Sequence, residues 1–285
     1  MADELTASKA AYRFTRILNL FAEYHGTPRF PIDIVALAKD AANQFHWSDP
    51  ITKVQAESIK NFEGALIPSE GRRDWLLLYN SNLKSEGRIR FTQAHELGHY
   101  LLHRHQRDSF SCTEGDLINL ETDDATIEAQ ADSFASTLLM PLDDFRGQMN
   151  GSADFDCLGA CAARYGVSLT ATTLRWLKHT EHHAILVVHR DGYMNWAFSS
   201  GPALKSGAFF KTRNQTIAIP NDTLAADMGV SHERTGVEIA ARKWFPHAPA
   251  DFSLREMKIT SNEYDAVMSL LVLPKGEKVW KPKDE

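Results

Sequence analysis

The chain has 285 residues, of which 43% are hydrophobic and 24% charged, the composition of an ordinary globular protein with one large or two modest domains. Its formal net charge of −6 excludes the diffuse basic surface with which many proteins bind nucleic acid non-specifically. No apolar run approaches the roughly 20 residues of a membrane-spanning helix, and the first residues are charged where a secretory signal needs an apolar segment. We therefore expect a soluble, cytoplasmic protein without a membrane partner.

The three cysteines of the chain are Cys112, Cys157 and Cys161. Their number is odd and no two of them form a Cys-x-x-Cys pair, which predicts reduced thiols and no disulfide framework. The last two are four residues apart, as on one face of a helix. We assign this spacing to core packing and not to a second metal site.

The first third of the chain predicts two helices and two strands. Apolar residues recur at helical spacing over residues 14–21, and a second such pattern opens with a proline over 31–38. Residues 62–67 and 75–79 have the pattern of strands joined by a polar turn. The helices are predicted to pack on the rest of the domain.

The motif His95-Glu96-Leu97-Gly98-His99 lies in the stretch 90–103, which predicts an amphipathic helix with both histidines at the margin of its apolar stripe. Histidines four residues apart stand on one helix face and can hold one metal ion. Two imidazoles suit zinc, and Glu96 is placed to act as a general base on water. The motif predicts a zinc-dependent peptide-bond hydrolase. The alternative is a packing helix with two ordinary histidines.

Neighbouring residues add three expectations about this helix. An extended peptide can add as a strand to an exposed sheet edge, so we expect 62–67 or 75–79 to be an edge strand that borders the cleft. Gly98 costs about 1 kcal/mol relative to Ala in mid-helix, which predicts that another segment packs closely there. His103 continues the row of histidines, and we assign it to the core or to a supporting contact.

A third metal ligand is predicted from residues 125–140, which have the pattern of a helix stopped by Pro141. Glu128 and Asp132 stand one turn apart beside the apolar stripe of this helix. A carboxylate near a core is costly unless it is paired or binds a metal. Glu128 as ligand and Asp132 as hydrogen-bond partner of a ligating histidine fit this requirement. The alternative is an exposed first turn, where acids favour the helix dipole.

The segments FTQAHELGHYLLH, residues 91–103, and EAQADSFASTLLMP, residues 128–141, closely resemble the ImmA/IrrE family of cytoplasmic metallopeptidases. The resemblance extends over roughly residues 10 to 180. It implies an α+β fold with a zincin-like metallopeptidase domain that is mostly helical with a small sheet. It also implies a metalloendopeptidase that cleaves a helix-turn-helix repressor and so derepresses stress-response or mobile-element genes. In this family pattern Glu96 is catalytic, and the zinc ligands are His95, His99 and Glu128.

Two further points follow from the resemblance. Zinc is the implied metal, with Mn²⁺ or another divalent ion as the alternative. Gln130 stands where many members have an acidic residue, but position 130 lies off the ligand face, so we expect the metal site to survive. No second donor to the oxyanion is assigned: Tyr100 lies on the same helix, and Tyr193 and His189 are distant alternatives.

The segment 158–178 has the helix, glycine-containing turn and second helix of a DNA-binding helix-turn-helix. Only Arg175 and Lys178 are basic in its second helix, so we expect packing and not direct nucleic-acid binding. A metal-containing transcription regulator acting through this segment is nevertheless the main alternative function. A non-catalytic partner-binding protein is another, although a degenerate enzyme can lose its base and Glu96 is intact.

From residue 184 the pattern becomes β-rich. Asp191-Gly192 favours a type I′ turn between two strand-like runs. The predicted strands cover residues 185–190, 193–198, 216–219, 237–244, 254–259 and 267–273. We therefore divide the chain into a peptidase domain, 1–180, and a β-rich domain, 181–285, that receives a signal, docks the target or caps the fold.

Overall fold

The structure is a computed structural model that describes residues 5–58, 60, 62–83, 85–106, 110–112, 127–149, 153–213, 215–262 and 264–275. The chain forms two compact units. One comprises Met1–Gln148 with Cys161–Ser168, and the other Met149–Ala160 with Leu169–Glu285. Both contain helices and strands, so the fold class is α+β. No helix within the described ranges is long and apolar enough to cross a membrane.

The first helix of the first unit begins and ends at recognisable capping residues. Thr6 accepts a hydrogen bond from the backbone of Lys9 at the start of the first helix, and Gly26, with φ 64°, ends it. Of the predicted helix 125–140, residues 125 and 126 lie outside the described residues. The helices are α1 (Ala7–His25), α2 (Ile34–Phe45), α3 (Glu86–His103), α4 (Ile127–Leu139) and α5 (Leu142–Gln148).

The sheet of the first unit has the strand order β1-β3-β2-β4. Its first two members pair in parallel, and the other pairs are antiparallel. The strands are β1 (Ile51–Glu57), β2 (Gly64–Pro68), β3 (Trp75–Asn80) and β4 (Phe110–Cys112). The two predicted strands are β2 and β3, which form the middle of the sheet.

A five-stranded antiparallel sheet with the order β6-β5-β9-β8-β7 organises the second unit. Asp191 and Gly192 have φ values of 51° and 79°, which confirms the predicted hairpin turn. The strands are β5 (His183–Arg190), β6 (Tyr193–Ser199), β7 (His232–Ala240), β8 (Ser253–Ser261) and β9 (Ala266–Leu273). The remaining helices are α6 (Phe155–Tyr165), which contributes residues to both units, α7 (Leu169–His179) and α8 (Gly201–Ser206).

Two strand predictions in this unit need correction. Residues 216–219 form only an isolated bridge, between Ala218 and Tyr193. The predicted strand 237–244 instead starts at His232, ends at Ala240 and is followed by a 3₁₀ turn. This turn brings Ala241 and Trp244, three residues apart, to the same side, where both join the apolar core.

Helix α3 is more deeply buried than its sequence pattern predicts. Every residue of 92–101 is buried, because α4, α2 and the strands β2 and β3 all pack around it. The expected amphipathic helix, with histidines at the edge of a stripe, is therefore wrong for these turns. The close packing expected at Gly98 is confirmed: a Cβ there would lie 3.1 Å from the Cα of Ala131 and 3.1 Å from Cδ1 of Phe134.

Candidate metal centre

Three potential ligand atoms converge between α3 and α4. His95 Nε2 and His99 Nε2 lie 2.9 Å apart, and Glu128 Oε2 lies 3.1 Å from the first and 3.2 Å from the second. Both histidines are fully buried, whereas the Glu128 side chain is 31% exposed. The three residues form a group that could hold a metal ion.

The donor set fits a divalent metal. Ligand atoms bound tetrahedrally at about 2.0–2.2 Å from zinc lie about 3.3 Å from one another. The observed separations of 2.9–3.2 Å are only slightly shorter. Two imidazoles and one carboxylate also form the ligand set of catalytic zinc sites, which keep a fourth position open.

Asp132 orients the first histidine. Its Oδ1 lies 2.8 Å from His95 Nδ1, and the residue is only 5% exposed. When His95 Nδ1–H donates to this carboxylate, the lone pair of Nε2 points to the centre. The alternative of a solvent-exposed first turn therefore does not hold for Asp132.

The pKa shifts favour a site that attracts a cation. Burial lowers the pKa of His99 to about 4, so its ring is neutral at pH 7 and offers a lone pair. Burial alone would raise the pKa of the Glu128 carboxyl. The contacts of its carboxylate with the rings of His95 and His99 outweigh this effect and hold that pKa well below its usual range. The centre therefore combines an anionic carboxylate with a neutral imidazole.

Glu96 follows His95 on α3 and lies against strand β2. It is fully buried, and a Cβ built on Gly64 would lie only 2.6 Å from Glu96 Oε1. One of the two predicted strands therefore contacts the residue expected to act as general base. It is not an edge strand, however, because β2 pairs with β3 on one side and β4 on the other. The chain returns after α3 to form β4, which is the outer strand on this side among the described residues.

The remaining residues considered from the sequence take other positions. Tyr100 is buried and donates its hydroxyl hydrogen bond to the carbonyl of Asp49 at 2.9 Å, so it is not an oxyanion donor. His189 and Tyr193 belong to the second unit. His103 contacts His99 through their Nδ1 atoms, which are 3.1 Å apart.

Sequence reasoning missed the contact of His103 with Gln130, whose Oε1 lies 3.0 Å from His103 Nε2. The four-residue spacing of His99 and His103 on α3 is visible in the sequence, but nothing in the sequence indicates that Gln130 on α4 is the partner.

The helix-turn-helix-like segment forms α6 and α7, joined by a turn that contains Gly166 with φ 61°. Arg175 is only 6% exposed, whereas Lys178 is exposed. A buried guanidinium cannot reach a DNA phosphate without opening of the second unit. This position therefore does not favour DNA recognition through Arg175.

The sequence family described as peptidase M78, the IrrE N-terminal-like domain, matches residues 49–177. Residues 49–177 are an IrrE-like domain. The resemblance noted in the sequence is thereby confirmed over residues 49–177, and this domain contains the His–His–Glu group, Glu96 and Asp132. This family implies chemistry of the metallopeptidase type.

Two further comparisons add little. A solved structure of a Mycobacterium tuberculosis transcriptional regulator is similar over 91% of this chain and 86% of its own, with 15% identity and a TM-score of 0.46. No curated protein matches the chain in sequence. Neither result bears on the chemistry of the IrrE-like domain.

Proposed function

We propose that this protein is a cytoplasmic zinc endopeptidase that cleaves a helix-turn-helix repressor and thereby derepresses stress-response or mobile-element genes. The observation that carries the proposal is the convergence of His95, His99 and Glu128, two of which share helix α3 with the buried carboxylate of Glu96. The match of residues 49–177 to a peptidase family supports the same chemistry. The repressor as substrate follows from the family resemblance.

Each residue of the centre has a separate task in peptide hydrolysis. A zinc ion held by His95, His99 and Glu128 would supply Lewis-acid polarisation and make water more acidic. Glu96 accepts the proton of the attacking water and passes it to the leaving amide nitrogen. Its burial against Gly64 keeps the carboxylate in one place, and Asp132 keeps His95 in its ligating orientation.

The substrate is expected to bind in an extended form along β4. This strand pairs with β2 through one edge and is the outer member of the sheet among the described residues. Strand addition at that edge would place a peptide beside β4, one strand away from β2, which contacts Glu96. Hydrogen exchange of the backbone amides of β4 should slow when the inactive Glu96→Gln protein binds its repressor, whereas protection confined to β1 would contradict this.

The second unit, with its five-stranded sheet, is assigned to reception of the activating signal or to docking of the repressor. Within the second unit, we place the start of the β-rich part near residue 181, after helix α7. The assignment rests on the metal-centre residues all belonging to the first unit, which leaves the second unit without a part in the proposed chemistry.

The decisive experiment uses a repressor of the helix-turn-helix class encoded beside the gene. It is incubated with zinc-loaded wild type and with zinc-loaded Glu96→Gln, and the products are identified by mass spectrometry. Glu96 is not a ligand, so the variant should bind zinc as well as the wild type does but should not cleave. Cleavage by both proteins, or by neither when zinc is bound, would reject the proposal.

A further inference from the structure

We infer that Gln130, acting through His103, sets which nitrogen of His99 carries the proton, and so is a positioning residue of the metal centre. The inference rests on the metal-binding part of the proposed function and not on peptide cleavage. It concerns the contacts of His99, whereas Asp132 contacts the other ligating histidine, His95.

A continuous row of ring nitrogens connects Gln130 to the centre. His99 Nδ1 lies 3.1 Å from His103 Nδ1, and His103 Nε2 lies 3.0 Å from Gln130 Oε1. At the other end, His99 Nε2 lies 3.2 Å from Glu128 Oε2. His99 and His103 are fully or almost fully buried, with exposures of 0% and 1%. The row therefore runs through the protein interior, from α4 to α3 and back to α4.

Hydrogen bonding permits only two arrangements of this row when both rings are neutral. Each neutral imidazole has one N–H donor and one acceptor nitrogen, and two donors or two acceptors facing each other in a buried site are costly. If the amide oxygen of Gln130 faces His103, then His103 Nε2–H donates to it and His103 Nδ1 accepts from His99 Nδ1–H. The lone pair of His99 Nε2 then points to the centre.

The second arrangement reverses every bond. The amide NH₂ of Gln130 donates to His103 Nε2, and His103 Nδ1–H donates to His99 Nδ1. His99 then carries its proton on Nε2 and donates it to Glu128. That arrangement satisfies a centre without metal but blocks the lone pair that a metal needs. Only the first arrangement binds metal, and the structure orients Gln130 Oε1 toward His103.

The two ligating histidines are thus held by different chemistry. His95 faces Asp132, whose carboxylate only accepts hydrogen bonds and therefore permits only the ligating form. His99 is controlled by an amide, which can present either its oxygen or its NH₂ group. The amide of Gln130 consequently favours the ligating form of His99 only when its oxygen faces His103. When the amide is removed, the side chain at position 130 no longer favours that form over the other.

The first test measures the zinc affinity of the full chain by competition with a chromophoric chelator. Gln130→Met keeps the length of the side chain but removes both the donor and the acceptor. We expect zinc to bind about 10–100-fold more weakly, the usual effect of losing a partner that orients a ligand. Thr137→Val, a buried polar-to-apolar change two turns later on α4, should leave the affinity unchanged.

The second test needs no variant at the site and reports the tautomer directly. Long-range ¹H–¹⁵N spectra of the zinc-loaded protein with labelled histidine should show His103 protonated at Nε2 and unprotonated at Nδ1. A proton on His103 Nδ1, or equal zinc affinity of wild type and Gln130→Met, would overturn the inference alone. Failure of the wild type to bind zinc at all would remove the proposed function together with it.

Discussion

Substitution of Gly64 by alanine would place a methyl group against the general base. A Cβ at this position would lie 2.6 Å from Glu96 Oε1, 2.6 Å from Thr92 Cγ2 and 3.0 Å from Glu96 Cγ. Carbon atoms in contact normally rest about 3.5–4.0 Å apart, so the overlap with the threonine methyl is about 1 Å. Thr92 and Glu96 are both fully buried, which leaves no open space for relief.

The overlap should be relieved mainly by movement of the Glu96 side chain. Strand β2 is held by hydrogen-bond ladders on both sides over Gly64–Leu66, which restrains its backbone. A displacement of about 1 Å at a catalytic group costs on the order of 100-fold in rate. Overpacking of the same kind lowers the free energy of unfolding by about 1–3 kcal/mol. The three atoms nearest the new Cβ belong to Glu96 and Thr92 and not to a zinc ligand, so zinc affinity should be unchanged.

Three measurements separate these effects: the single-turnover rate on the repressor that the wild type cleaves, zinc affinity and urea unfolding. Gly147→Ala is the matched control, since a Cβ at Gly147 in α5 meets nothing within 4 Å. The control should cleave at the wild-type rate. A Gly64→Ala protein that cleaves as fast as the wild type would refute the role of β2 in holding Glu96. Loss of zinc together with activity would show that the clash reaches the ligands.

Three more predictions follow from other contacts. In Gly98→Ala, the added Cβ would lie 3.1 Å from Ala131 and should push α3 away from α4. We expect the free energy of unfolding to fall by about 1–3 kcal/mol and zinc binding to weaken. Wild-type values in urea unfolding and chelator competition would contradict this prediction. Asp132→Ala removes the hydrogen-bond partner of His95 Nδ1 and should weaken zinc binding about 10–100-fold. An unchanged zinc affinity would show that Asp132 does not orient His95. Burial, assisted by Lys258, lowers the pKa of His189 from 6.5 to about 4, so the unfolded chain takes up a proton first as the pH falls. The stability due to this residue is present above pH 6.5 and falls by about 2 kcal/mol between pH 6.5 and 4.5. In His189→Leu, the loss of unfolding free energy between pH 6.5 and 4.5, measured by urea unfolding, should be smaller by this amount. An equal loss in the variant and the wild type would contradict the contribution of His189.

Much of the metal centre is predictable because helix geometry is local. The pairs His95 and His99, and Glu128 and Asp132, are each four residues apart, so their shared faces follow from the sequence once a helix is assumed. The strand pairs of the hairpin around Asp191 follow from alternation and turn chemistry. Strand β1 was not predictable in this way, because six of its seven residues are not buried and it has no clear apolar alternation. Its place depends on parallel pairing with β3, which lies about 20 residues later in the chain.

The contacts between the helices are the part that local pattern cannot supply. Sequence periodicity indicates which residues share a face of α3, but it does not say what packs against that face. Here Gly98 lets the backbone of α4 approach at Ala131, and Gln130 and Asp132 flank that point of contact. Their side chains consequently reach His103 and His95, on opposite sides of the crossing. A glycine that costs an isolated helix about 1 kcal/mol relative to alanine therefore fixes the register in which the histidines of α3 meet their partners.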